Sequence, residues 1–148
     1  MNEAPELVWV VFFPFLWIAG WITASIIYRR IHDKPIFPRT PESALFVERA
    51  ASGVNDSHWL SRIGHANRCL IVAVTGHELV VTPFFPFNLM FLPEIYGLEI
   101  RVPVSRIRRV GEWSGILRDF IVVEFDDGRS FRLVLRNPRA FRKALGRP

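Results

Sequence analysis

The chain has 148 residues, half of them hydrophobic, with a formal net charge of +5, eleven prolines and one cysteine. That length holds about one domain, and a lone cysteine, Cys69, excludes an intrachain disulfide framework. The charge is lopsided: Glu3 and Glu6 are the only charged residues before Arg29, so the remainder carries 19 basic against 12 acidic residues, or +7.

Residues 1–6 form a short acidic tail. Leu7 to Tyr28 follows without a charge, 22 residues, or roughly 33 Å of helix against a hydrocarbon core of about 30 Å. Trp9 at one end and Trp21 and Tyr28 toward the other suit the two interfacial belts. The acidic start, the long apolar run and the Arg29-Arg30 pair after it favour a membrane anchor over a cleaved signal peptide, which starts basic and has a shorter apolar core. Arg29, Arg30, Lys34 and Arg39 follow the span and no Lys or Arg precedes it. The positive-inside rule therefore predicts a single pass through the plasma (inner) membrane, with the N-terminus outside and the rest cytoplasmic. Gly20 and Ala24 are spaced as a candidate helix-packing pair, a spacing also common in helices that pack against nothing.

Residues 29–57 read as a linker. Pro35, Pro38 and Pro41 recur every third residue, as in a stiff polyproline II spacer, and Ser43 is placed to cap a short helix ending near Ala51. From residue 58 to 148 the pattern is β-rich. Arg68–Thr75 and Glu78–Thr82 flank the turn Gly76-His77 and predict a hairpin. Two short stretches follow, 99–104 and 106–110, with Pro103 marking an edge or bend. Phe120–Phe125 and Ser130–Leu135 flank Asp126-Asp127-Gly128, the clearest hairpin signal in the chain. Asn137 as N-cap and Pro138 at the first helical position open a last helix, with Phe141, Ala144 and Leu145 on one face.

Strand hairpins closed by one C-terminal helix outline a pleckstrin-homology-like (PH-like) domain. Val102–Val110 resembles the middle strand of GRAM-like and bacterial PH-like modules, and Phe120–Gly128 with Phe131–Pro138 and Phe141–Leu145 resembles their last hairpin and helix. In this the chain is similar to bacterial membrane-anchored PH-like proteins. The resemblance implies a small α+β domain: an antiparallel, bent sheet or barrel of six or seven strands, capped by the last helix. It implies a binding or scaffolding module. The basic first-loop motif of phosphoinositide binders is not found in the first turn, Thr75-Gly76-His77-Glu78.

Two surfaces compete for function. Arg101, Arg106, Arg108 and Arg109 form a dense basic group, with Arg132 and Arg136 as further members. It reads either as a surface for anionic lipid or an acidic partner, or as a solvated face paired with Glu99, Glu112 and Glu124. The uncharged segment Pro83–Pro93 carries Phe84, Phe85, Phe87, Leu89, Met90 and Phe91. It reads as an apolar docking loop or, as aromatic-rich segments more often are, as core. No catalytic motif, cofactor fingerprint or metal-ligand spacing is present in His32, His58, His65, His77 or the neighbours Asp56-Ser57-His58. Cys69 in its apolar strand reads as a core thiol. The expected partners are the bilayer and a membrane protein or second copy of the chain. The tether favours lipid over nucleic acid as the acidic counterpart.

Overall fold

The computed structural model describes residues 4–57, 66–90, 94, 96–116 and 118–146, which fall into two units, Met1–Ile36 and Phe37–Pro148.

The first unit is a helix, α1 (Ala4–Ile31, 28 residues), roughly 42 Å long at about 1.5 Å per residue. Within it Val8–Ile31 is apolar and long enough to cross a bilayer. Apolar side chains point in every direction, so no stripe marks a core-facing side. Phe13, Trp17 and Trp21 meet at successive turns, with ring centres 6.1 and 6.3 Å apart, the first pair tilted and the second stacked. The helix runs through Pro14 and continues past Tyr28 over Arg29, Arg30 and Ile31. It ends where Asp33 turns left-handed (φ 51°) and Lys34 N–H returns to Arg29 C=O at 2.8 Å.

The second unit is a seven-stranded antiparallel sheet and a helix. In chain order the strands are β1 (Ala44–Asn55), β2 (Ala66–Thr75), β3 (Glu78–Pro83), β4 (Ile100–Pro103), β5 (Ile107–Ser114), β6 (Asp119–Phe125) and β7 (Ser130–Val134), followed by α2 (Pro138–Ala144). Across the sheet the order is β4-β3-β2-β1-β7-β6-β5. The β2–β3 and β6–β7 hairpins, the position of Pro103 on an edge strand and the capped last helix follow the sequence reading.

Residues 44–51 do not. They are strand, not helix, so the sheet begins at Ala44 within the expected linker and well before residue 58. β1 is the strand on which the two halves of the sheet join. Ala44–Gly53 pairs with β2, with register shifts on both sides of Ala51, and Ser52–Asn55 pairs with β7. At the first of these shifts Ala50 takes φ 60°, and at the second Ser52 Oγ accepts the Arg68 N–H at 2.9 Å. At Gly53 the halves come so close that a Cβ would lie 2.8 Å from the Phe131 ring and 2.9 Å from Leu70.

Leu70, Val72, Val74, Leu79, Val81, Ile121, Val123, Phe131 and Leu133 fill the interior, and Phe141 and Leu145 join them from α2. The Phe141 ring meets Phe46 edge-on at 5.6 Å. Asn137 caps α2 by accepting the Ala140 N–H at 3.1 Å. Glu48, buried on β1, accepts the Arg136 N–H at 2.7 Å and the Asn137 N–H at 3.2 Å. The first strand thereby holds the entry to the last helix.

Candidate functional site

The expected basic group is distributed over the sheet. Arg101 lies on edge strand β4 and its guanidinium is 3.6 Å from Glu78. Arg106 lies in the 3-10 turn Val104–Arg106. Its Nε donates to both oxygens of Asp126 at 3.1 and 3.2 Å, and its Nη2 reaches Asp127 at 3.4 Å. Asp127 also receives the backbone N–H and the guanidinium of Arg129. The Arg129 N–H first, then the Arg129 and Arg106 charges, hold its carboxyl below the ordinary range, and the Asp126 bond raises Arg106. Arg106 is thus engaged at the tip of the β6–β7 hairpin. Arg108 and Arg109 are exposed on β5, at the opposite end of the strand order from Arg101.

Arg101 and Arg106 pair with Glu78, Asp126 and Asp127, while Glu112 bonds Arg142 of α2 at 2.9 Å. Arg132 is taken by Asp56 through a bidentate contact with Nε 2.8 Å from both carboxylate oxygens. Ser57 Oγ accepts the Ser130 N–H at 3.2 Å. Two of the three neighbours with nucleophile and base chemistry therefore hold the sheet together, and His58, like His65, lies outside the described residues.

The apolar segment divides. Phe84 N–H extends the β2–β3 ladder to Cys69 C=O at 3.0 Å, and Leu89 is buried in the core. Phe84 and Phe87 pack against that core and meet edge-on at 5.3 Å. Phe85 and Met90 are about half exposed, at 48% and 49%, and the Phe37 ring lies 5.1 Å from Phe85. Phe91 lies outside the described residues. Gly20 and Ala24 lie on α1, Ala24 exposed and Gly20 with no atom near the position of a Cβ. Cys69 is a buried free thiol, and burial pushes its pKa up.

One surface had no advance signal. On the outer face of β5, β6 and β7 lies an open groove of about 610 Å³. Gly111 and Val122 line it between Trp113 and Phe120 on one side and Arg109 and Glu124 on the other. The Trp113 and Phe120 rings are nearly parallel (5°), with centres 6.4 Å apart, and the Arg132 guanidinium lies 5.7 Å over Phe120. Trp113 is 64% exposed. Its wall combines aromatic faces and guanidinium groups with the carboxylates of Asp56, Glu112 and Glu124 and the Ser130 hydroxyl. The groove was missed because the sequence reading ended this strand at Val110, whereas β5 runs to Ser114 and its pairing with β6 brings Trp113 opposite Phe120. Among the described residues no three His, Cys, Asp or Glu side chains gather as a metal site. No known protein family and no curated protein matches the chain.

Proposed function

We propose that the chain is a membrane-anchored PH-like binding or scaffolding module at the cytoplasmic face, contacting anionic lipid or a membrane protein partner. The observation that carries this reading is the pairing of two units: an apolar helix of bilayer-crossing length and a seven-stranded antiparallel sheet followed by a helix. An antiparallel sheet followed by a C-terminal helix is the coarse outline that supports the PH-like reading. The basic residues after the span supply the orientation, and the positive charge of the rest supplies the attraction to acidic headgroups, about 1 kcal/mol for each nearby Lys or Arg.

Co-sedimentation tests it. Residues 37–148, which form a unit with their own core, should bind vesicles of anionic lipid and release as salt rises, because screening shortens the reach of charge to about 8 Å at physiological ionic strength. Arg108→Gln with Arg109→Gln should weaken the binding, and Phe85→Ser should leave its salt-dependent part intact. A reporter fused after residue 148 that is active only outside the cytoplasm would overturn the orientation. Absence of binding at low salt would favour a second reading, a structural subunit of a larger membrane complex. That reading draws on the open face at Gly20 and Ala24 of α1.

A further inference from the structure

Among the described residues the sheet ends on β4 at one side and on β5 at the other. β4 is four residues long and closes on Pro103, which offers no N–H to a further strand, a common way to blunt an edge. β5 is eight residues long, and every residue after Ile107 is exposed or half-exposed. Its one irregularity lies between Ile107 and Arg109. From Arg109 to Ser114 the edge is regular and carries no proline or lysine.

The ladder with β6 identifies the free backbone groups. Gly115 N–H donates to Arg118 C=O at 3.1 Å, and from there Trp113 stands opposite Phe120, Gly111 opposite Val122 and Arg109 opposite Glu124. Bonded and non-bonded pairs alternate in an antiparallel ladder. Arg109, Gly111 and Trp113 therefore direct their N–H and C=O to β6, and Val110 and Glu112 direct theirs off the sheet. Arg109, Gly111 and Trp113 also share the outer face, since side chains alternate along a strand. A Cβ at Gly111 would meet nothing within 4 Å, so this row dips at its centre.

We propose that β5 pairs antiparallel with β5 of a second copy about a two-fold axis at Gly111, joining two sheets into one. An axis normal to the sheet keeps outer faces on one side. It sets Arg109 of each copy opposite Trp113 of the other and Gly111 opposite Gly111. The N–H and C=O of Val110 and Glu112 then meet those of Glu112 and Val110 in the second copy. A two-fold interface uses one patch twice and must be self-complementary. Here a guanidinium meets an indole face at both ends, Arg108 falls opposite Ser114, and no like charges are apposed. That self-match favours a second copy over an unrelated strand.

The full chain in lipid vesicles provides the test. Cys69 is buried, so an introduced surface thiol reacts alone. In the proposed pairing the two Gly111 Cα atoms are about 4.5 Å apart, within the roughly 4.4–6.8 Å that a disulfide spans. Gly111→Cys should form a covalent dimer under mild oxidation, at least about tenfold faster than exposed Ser105→Cys, and adding Arg109→Glu should remove that advantage. Linking of Gly111→Cys no faster than Ser105→Cys overturns the proposal. So does linking indifferent to Arg109→Glu, or a dimer mass with no Gly111→Cys link, which would place the contact elsewhere, as on α1.

Discussion

Two hairpins of one sheet are held in register by opposite means. In β6 and β7, Ile121, Val123, Phe125, Phe131 and Leu133 are buried, while Glu124 and Arg132 alternate with them on the other face. A slip of one residue would turn Arg132 into the core, so the side chains themselves set the pairing. β2 and β3 have no such pattern, because Cys69–Thr75 and Leu79–Pro83 are buried throughout. There a slipped pairing would bury much the same apolar surface, and the turn decides. Thr75 Oγ1 accepts the His77 and Glu78 N–H groups at 3.2 and 3.0 Å and donates to Glu78 C=O at 3.3 Å. An alternating strand relies on its faces, a uniformly apolar one on its turn.

The contrast can be broken from either side. Phe131→Ala removes a ring that is 1% exposed and should cost about 3–5 kcal/mol in denaturant unfolding. Thr75→Val should cost about 0.5–1.5 kcal/mol by removing the turn hydrogen bonds to His77 and Glu78. It should also split the amide spectrum of β2–β3 into more than one set; a single set at normal stability would mean that the turn does not fix the register. Gly128→Ala strains a turn residue at φ +81° and should cost about 1–2 kcal/mol, with the β6–β7 register unchanged. Asp127 ionises below the ordinary carboxylate range, about 3.9 for Asp. A lowered folded pKa adds stability that is complete above that value and is lost as pH falls through the folded pKa. Melting temperatures of wild type and Asp127→Asn should therefore converge in acid. Arg101→Ala breaks a largely exposed pair with Glu78 and should change stability by less than about 0.5 kcal/mol.

The parts legible in the sequence were those with local signals. α1 announces itself by an unbroken apolar run, β6–β7 by Asp-Asp-Gly between alternating arms, and α2 by Asn137-Pro138. β1 was misread because its pattern is inverted. Leu45 and Val47 face outward while Glu48 turns inward, and the reason, the Arg136 and Asn137 N–H groups that Glu48 accepts, lies nearly the whole domain away in the chain. Ala-Leu-Phe-Val-Glu-Arg-Ala-Ala alone reads as helix. The arginines were legible as charges but not as neighbours. Asp126 and Asp127 claim Arg106 through a hairpin turn, and Arg101 and Arg109 leave on strands at opposite ends of the sheet.

The joining role of β1 sets an order of events during synthesis. Ser52 pairs with Val134 and Asn55 with Phe131, so the far edge of β1 waits for a strand made roughly 80 residues later. At about 5–20 residues per second that is on the order of 4–16 s. Until β7 has been made, Ser52–Asn55 lack the strand they pair with, and Phe131 and Phe141 are missing from the core. Such distant pairings give slow folding.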